Sequence, residues 1–477
     1  MENFQQQFYT QFLEQFEFQA TESQSFAIKI LSKFVEISSD KKMLILSGYA
    51  GTGKTSLVGH FVQTLKHFKL HCVLLAPTGR AAKIFSAFSK QKAFTIHKKI
   101  YRKQKIENGS IKLVLSPNLT KNTIFIVDEA SMIADFSSDK NGIISERNLL
   151  EDIIQFVFSG EGCSLIFVGD EGQLPPVGSD FSPALQKEYL QNHFPQIAID
   201  EIKLIEVLRQ SETSDILKNA TKIRSSNVTK KLKITFSKKS DLQLINGLEF
   251  QEILENSYTQ NGMDETIIVT KSNKRANAYN HEIRKRILFR EEEISSGDMV
   301  MVVKNNYYWI PETSDAGFIA NGEILKVKKV LRREEIYGFS FQKLQVEMID
   351  YPEMGTIQLM AILDTLNSET PSLSREDMKK LFFEVEQDYL EEKNKQKRYA
   401  KILADPYFNA LQIKFAYAIT CHKAQGGQWN HVFLDHGYLT DEMIDESFYR
   451  WLYTGFTRAK EKLYLLNFSE RLLKIEK

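Results

Sequence analysis

The chain has 477 residues, 42% of them apolar and 26% charged, room for about three domains of roughly 150 residues each with no difficulty in burying a core. Its 62 Lys and Arg against 61 Asp and Glu leave a formal charge of +1, which disfavours a protein that merely coats a polyanion and requires any nucleic-acid surface to be a local patch. Cys72, Cys163 and Cys421 are scattered, so neither a disulfide framework nor a paired-cysteine zinc site is expected. The first residues lack a basic stretch followed by an apolar one, and no apolar run approaches 18 residues; a soluble, cytoplasmic chain without a membrane partner is expected.

From Thr21 to Pro195 short apolar runs alternate with helical patterns, the signature of an α/β fold with a doubly wound parallel sheet. The expected strands are Met43–Leu46, Cys72–Leu75, Thr123–Val127 and Ser164–Val168, and ligands of such sheets bind beyond the carboxyl ends of the strands. The first strand runs into Gly48-Tyr49-Ala50-Gly51-Thr52-Gly53-Lys54-Thr55 and then a helical pattern from Ser56. Gly48, Gly51 and Gly53 let backbone N–H groups, including those of Thr52 and Ser56, wrap phosphates at a helix N-terminus. Lys54 reaches the terminal phosphates of a nucleoside triphosphate, and the Thr55 hydroxyl can ligate Mg²⁺.

Lys98–Lys121 is basic and polar, with Asn108-Gly109 as a two-residue turn, and reads as a small hairpin insertion or a solvated loop. The third strand ends in Asp128-Glu129, two carboxylates at the tip of a buried strand. Asp128 is suited to hold Mg²⁺ through its water shell, and Glu129 to deprotonate the attacking water, so hydrolysis of the nucleoside triphosphate is expected and not binding alone.

A second αβ pattern, without a phosphate loop, begins near Thr266–Thr270 and returns at Ala416–Thr420, Val432–Leu434 and Lys462–Leu466. Between them, Gly297–Val303, Val327 and Leu344–Val346 suggest an inserted small β-barrel, and Ser374–Ala404 a charged helical stretch. Within it Glu391–Arg398, of mixed sign, reads as a solvated helix face.

The fourth strand ends in Gly169-Asp170-Glu171-Gly172-Gln173-Leu174-Pro175-Pro176-Val177, which resembles motif III of superfamily-1 helicases. The resemblance implies that Gln173 senses the γ-phosphate and that the loop with Pro175 and Pro176 touches nucleic acid. It extends along the chain in the family's order. Gln24 is similar to the glutamine that reads the adenine edge; Pro77, Thr78 and Arg80 fall in motif Ia; His97 and Lys98 resemble the adjoining strand-contacting motif. Val207-Leu208-Arg209-Gln210 resembles motif IV, with Arg209 as one arginine finger. Thr420–Gln428 resembles motif V, with Thr420, His422 and Lys423 toward the strand and Gly426 and Gln428 toward the nucleotide. Tyr453–Lys460 resembles motif VI, with Arg458 as the second finger. A guanidinium delivered from a second domain stabilises the phosphoryl-transfer transition state only when the domains close.

Asp128–Met132 and Gln173–Val177 look like the RecD, Dda and Pif-type branch, which moves 5′ to 3′. The Lys-Pro-Phe-Gly-Gly run of the Pif type is absent from Ile133–Leu165, which places the chain nearer RecD and Dda. The resemblance implies two RecA-like domains: 1–97 with 122–197, carrying a strand-splitting pin at 98–121, and 198–296 with 408–477, carrying an SH3-like barrel and helices at 297–407. It also implies ATP and Mg²⁺ in the cleft, single-stranded DNA and its junctions with duplex as partners, action as a monomer, and roles in DNA repair, replication or recombination. An RNA helicase with the same motor and an accessory ATPase of a nuclease complex are the alternatives. Phe94, Tyr101, Phe181 and Tyr417 stand as possible base-stacking rings, against a core role for most aromatic residues.

Overall fold

The computed structural model describes residues 4–16, 19–36, 40–105, 111–136, 148–206, 214–225, 232–237, 240–311 and 313–475. The first part of the chain supplies β1 (Lys42–Gly48), β2 (His71–Ala76), β3 (Ala93–Thr95), a hairpin of β4 (Tyr101–Lys105) and β5 (Ile111–Leu115), then β6 (Thr123–Val127), β7 (Ser164–Gly169) and β8 (Ala198–Leu204). Six of them form one parallel sheet in the order β3-β2-β6-β7-β1-β8. Alternate residues of the central strands enter opposite cores, as a period of two requires. Leu44, Leu46, Ile124, Ile126, Ile166 and Val168 meet the helices on one face; Met43, Ile45, Phe125, Val127, Leu165 and Phe167 meet those on the other.

The helix Lys54–His67 covers the first face with Leu57, Phe61 and Leu65. Over it lies the helix Phe4–Gln15, whose Phe8 and Phe12 are fully buried and pack edge-on and tilted against Phe61, at 6.0 and 5.8 Å between ring centres.

Strand β8 lies beyond the boundary at 197 expected for this unit. It pairs with β1 along its length, from Ala198 opposite Lys42 to Leu204 opposite Gly48. Asp200, Glu201 and Lys203 interrupt its apolar residues because it is an edge strand, open to water on part of its surface.

The second part contributes β9 (Ile234–Phe236), β10 (Leu242–Ile245) and β11 (Thr266–Thr270). After an excursion through β12 (Met299–Val302), β13 (Ile324–Ile336), β14 (Phe339–Met348), β15 (Thr356–Ile362) and β16 (Leu411–Phe415), it adds β17 (Ala418–Thr420), β18 (Trp429–Asp435), β19 (Ala459–Leu466) and β20 (Leu473–Ile475). A second parallel sheet has the order β10-β19-β18-β11-β17, and β12 to β16 close a barrel.

The run read as one strand over Ala416–Thr420 is a junction. Strand β16 ends the barrel at Phe415 and β17 starts the sheet at Ala418. Between them Tyr417 is buried, its hydroxyl donating to Asp298 at 2.8 Å, while Arg284 grips the same carboxylate through two bonds of 3.1 Å. Tyr417 is therefore core and is not a base-stacking ring.

The charged stretch forms two helices, Arg375–Gln387 and Lys395–Leu403, which bury Leu381, Val385 and Ile402 against Phe341 and Ile362 of the barrel. The run Glu391–Arg398 straddles the break between them, where Asn394 caps the second helix through Gln396 and Lys397 N–H.

Candidate functional site: the cleft between the two sheets

The phosphate loop turns where β1 meets the helix Lys54–His67. Gly51 and Gly53 have φ of 79° and 78°, the left-handed region that other residues enter only at a cost. Gln24, 1% exposed, ties this loop to the preceding helix: its amide donates to Thr52 O at 3.0 Å, and its Oε1 accepts from Thr21 N–H at 3.0 Å. Thr55 and Ser56 are half-buried in the first helical turn. Lys54 lies back across the loop, donating to Gly48 O and, at 3.0 Å, to Tyr49 O, with Asp170 at 3.9 Å.

At the end of β6 the Asp128 carboxylate accepts from Glu129 N–H at 2.9 Å. Burial, and then the adjacent Glu129, raises its pKa to about 7. Glu129 itself sits at φ 52°. Among the described residues no three His, Cys, Asp or Glu side chains cluster as a metal site. The Asp128 carboxylate, crowded by Glu129 and with Lys54 nearby, nevertheless fits a divalent cation carried in with a triphosphate, since a positive charge there relieves the cost of ionising Asp128. Gln173 is buried and its Oε1 has no hydrogen-bond partner, which suits a side chain that awaits a water or phosphate.

The second sheet reaches this loop through the helix Glu446–Phe456. The hydroxyl of Tyr453, 1% exposed, accepts from Ala50 N–H at 2.7 Å and donates to Asp170 at 2.7 Å. On the next residue the Thr454 hydroxyl accepts from Leu174 N–H at 2.8 Å, and Gln425 donates to Leu174 O at 2.6 Å. Three side chains of the second lobe thus hold the phosphate loop and the segment after Gln173. Sequence reasoning had placed Tyr453 inside motif VI without a role. Its signal was a tyrosine five residues before the motif's arginine.

Several site residues sit elsewhere than expected. Arg458 is 2% exposed and its guanidinium donates to Thr454 O at 3.0 Å, Gly427 O at 3.1 Å and the Thr457 hydroxyl at 2.9 Å. It braces motif V from within its own lobe, because the chain turns into β19 immediately after it. Arg209, with Val207, Leu208 and Gln210, lies outside the described residues. Gly426, at φ 70°, packs against Thr78, Ala81 and Met132 instead of the phosphate loop, and exposed Gln428 accepts through its carbonyl from Arg80 at 2.6 Å.

The strand-facing candidates gather along the top of both sheets. Pro77 and Thr78 are half-buried, and Thr78 caps the helix Gly79–Ser89 through Ala81 N–H at 3.2 Å. The Arg80 guanidinium lies on the Trp429 ring, 4.3 Å from its centre. Thr420 and His422 are half-buried at the end of β17, burial holding His422 below its usual pKa. Lys423 donates to Asn321 of the barrel, and burial lowers its pKa to about 8. Close by, Glu323 of the barrel is buried under Gly79, its carboxyl raised to about 8 by burial and by Asp350. Pro175 and Pro176 are buried, and it is Val177, 72% exposed, that presents the loop to solvent.

His97 and Lys98 face the barrel. His97 lies between Tyr101 and Phe318, at 5.5 and 6.0 Å between ring centres, and burial depresses it to about 4, so it carries no charge at neutral pH. Lys98 donates to Ser314 O at 2.7 Å and to Asp315 O. The β4–β5 hairpin that follows is antiparallel, pairing Tyr101 with Leu115 and Lys105 with Ile111; Asn108-Gly109 lies outside the described residues. Tyr101 is buried with its hydroxyl on Asp152 at 2.7 Å, Phe94 is half-buried, and Phe181 is partly exposed. No helix among the described residues is long and apolar enough to cross a membrane.

Comparison with known proteins agrees with this geometry. A profile described as "AAA domain" matches residues 32–179, and one described as "UvrD-like helicase C-terminal domain" matches residues 415–466. The chain is 26% identical over 293 residues to the ATP-dependent DNA helicase dda of Enterobacteria phage T4, a match that takes in 59% of this chain and 60% of the phage protein. It is 22% identical over 479 residues to the RecBCD enzyme subunit RecD of Buchnera aphidicola, covering 91% of this chain and 71% of that subunit. A crystal structure of Pif1 helicase from Bacteroides in complex with ADP-AlF3 and single-stranded DNA is similar over 96% of this chain and 95% of its own, with 14% identity and a TM-score of 0.48. With a profile matching one segment in each lobe and named relatives that include Dda, Pif1 and RecD, the chain is similar to superfamily-1 helicases of the branch that contains those three.

Proposed function

We propose that the chain is an ATP-driven DNA helicase that moves 5′ to 3′ on a single strand and separates the duplex ahead of it. The carrying observation is the Tyr453 hydroxyl, which joins the phosphate loop at Ala50 to Asp170 from the opposite lobe. A triphosphate entering beside Lys54 necessarily meets this bridge, so its binding and loss are felt by both lobes.

In this reading Lys54 leaves the loop carbonyls for the β- and γ-phosphates, Glu129 takes the proton of the attacking water, and Gln173 orients that water through its free Oε1. Thr55 and Asp128 hold Mg²⁺, which when bound offsets charge on the phosphate oxygens. Gln24 sets the base end of the site through the Thr52 carbonyl. The single strand lies over Thr78, Val177, Thr420 and His422, gripped mostly by its backbone, with the 98–121 hairpin as the wedge at the junction. Both walls of the cleft come from one chain, which supports action as a monomer.

Unwinding of a duplex with a 5′ single-stranded tail, against one with a 3′ tail, is the test. Preference for the 5′ tail is expected with ATP and Mg²⁺, and none with Lys54→Ala. Preference for the 3′ tail would overturn the direction, and stimulation of ATP turnover by RNA alone would overturn the substrate.

A further inference from the structure

Arg458 has its donors committed inside the second lobe, yet that lobe does lay a guanidinium on the phosphate loop. The helix Asp215–Ser225 buries Ile216, Ala220 and Ile223 in the same core as the helix Glu446–Phe456, so the two helices are built into one body. In the last turn of the first is Arg224. Its guanidinium carbon lies 3.9 Å from the centre of the Tyr49 ring, and Tyr49 is the second residue of the phosphate loop. The Tyr49 ring in turn borders Gly172, whose other neighbours are Tyr453 and Asp170. Arg224 therefore stands at the terminal-phosphate side of the loop, next to the bridge made by Tyr453.

Its hydrogen bonds are incomplete. One terminal nitrogen makes a long bond of 3.4 Å to Ile205 O, and the other, Nη1, is buried without a partner among the described residues. A guanidinium stacked on an aromatic face is held in place by attraction that leaves its in-plane donors free. A buried donor with nothing to accept from it is the pattern left by a group that completes its bonds only with a ligand. A ligand that supplies anionic acceptor oxygens matched to a guanidinium at the phosphate loop is the terminal phosphate of a nucleotide.

Building on the helicase reading above, we propose that Arg224 is a catalytic residue for ATP hydrolysis, bonding the γ-phosphate from the second lobe with Tyr49 as its resting platform. As the lobes close, Nη1 donates to a γ-phosphate oxygen. The water oxygen bonds to the γ-phosphorus, its proton passes to Glu129, and the bond from phosphorus to the bridging oxygen breaks with its electron pair leaving on ADP. Arg224 gains most when the equatorial oxygens carry the most charge, which lowers the barrier without tightening ADP.

The test measures ATP turnover with saturating single-stranded DNA, and separately the affinity for ADP and for ADP with aluminium fluoride. Arg224→Ala is expected to lower kcat about 100-fold or more, to weaken ADP with aluminium fluoride by a similar factor, and to leave ADP affinity within about threefold. Arg224→Lys is expected to recover part of the loss. Should Arg224→Ala melt far below the wild type, Arg224→Gln, which keeps a planar group on Tyr49, gives the same readings. A kcat within twofold of wild type, or equal weakening of ADP and of ADP with aluminium fluoride, overturns the proposal. A wild type that turns over no ATP in the presence of DNA sinks the helicase reading and this one with it, whereas normal wild-type turnover with an unaffected variant sinks only this one.

Discussion

Substituting Tyr453 by Phe removes one oxygen atom and tests whether the lobes communicate through it. In the wild type that oxygen has two partners at 2.7 Å, Ala50 N–H and the Asp170 carboxylate, and no access to water. The bond to the charged Asp170 is of the kind that contributes about 1.5–3 kcal/mol, and the bond from Ala50 about 0.5–1.5 kcal/mol. Asp170 keeps Gly172 N–H at 2.9 Å and the Lys54 ammonium at 3.9 Å, so its charge is not abandoned and the lower part of the range applies. A loss of about 2–3 kcal/mol from lobe closure corresponds to roughly 30- to 150-fold in that equilibrium. The ring stays and the cavity is small, so the core of each lobe is nearly unaffected. The expected outcome is a fall in kcat/KM for DNA-stimulated ATP hydrolysis of at least about tenfold, with the melting temperature little changed. Turnover within threefold of wild type would refute the idea that this hydroxyl carries the closure, as would a large drop in melting temperature, which would assign Tyr453 to folding.

Three further outcomes are expected. Asp128 is held near 7 by burial and by Glu129, so the folded protein keeps a proton that the unfolded chain releases near 3.9. Its contribution to stability is intact below that value and is lost as pH rises toward 7. Asp128→Asn should therefore melt higher than wild type at pH 8, with the gap closing as pH falls to 5; parallel curves would be the contrary result. Replacing both grips on Leu174, by Thr454→Val with Gln425→Ala, removes bonds of 2.8 and 2.6 Å and should lower the base pairs opened per ATP more than the basal rate of hydrolysis. Phe12→Ala empties a fully buried site beside Phe61 and should destabilise the first lobe by about 3–5 kcal/mol, read by chemical denaturation, with the second lobe's transition unmoved.

What could be read from the chain was whatever depends on neighbours in sequence. The phosphate loop follows an unbroken apolar run in β1, strands β6 and β7 are such runs ending at Asp128 and Gly169, and β11 is one that ends at Thr270-Lys271, the pattern a buried parallel strand leaves. Strand β8 was missed because an edge strand keeps Asp200, Glu201 and Lys203 in water while Ile199, Ile202 and Leu204 turn inward. The helix Phe4–Gln15 carried a legible signal, Phe4, Phe8 and Phe12 at intervals of four, set among glutamines. The contacts between lobes were not legible. Tyr453 meets Asp170 across 283 positions and Gln425 meets Leu174 across 251, and nothing local distinguishes a tyrosine aimed across a cleft from one in a core. The same blindness applied to Arg458 and Arg224: the motif pointed to the first, and only the fold shows that its donors are taken while Nη1 of the second lacks a partner among the described residues.

These contacts also fix the route by which chemistry at the phosphate loop can move a strand. Leu174 is held by its own backbone, N–H to Thr454 and C=O to Gln425, so the segment from Gln173 to Val177 must follow the second lobe whenever that lobe shifts. Pro175 and Pro176 are buried and fix two consecutive φ angles, which stiffens the link. Val177, which follows them, is the exposed end of this segment. On the other side, Gly426, at φ 70°, passes close against Thr78 and Ala81, and Arg80 holds Trp429 and the Gln428 carbonyl. That contact combines packing with one guanidinium and its ion pair to Glu265 at 3.8 Å, away from the phosphate loop, whereas the Tyr453 bridge depends on a charged group whose partner, Lys54, is the one that must leave for the nucleotide. A nucleotide that draws Lys54 away from Asp170 thus acts on one of the two inter-lobe contacts and not directly on the other, which is the asymmetry a hinge between lobes requires.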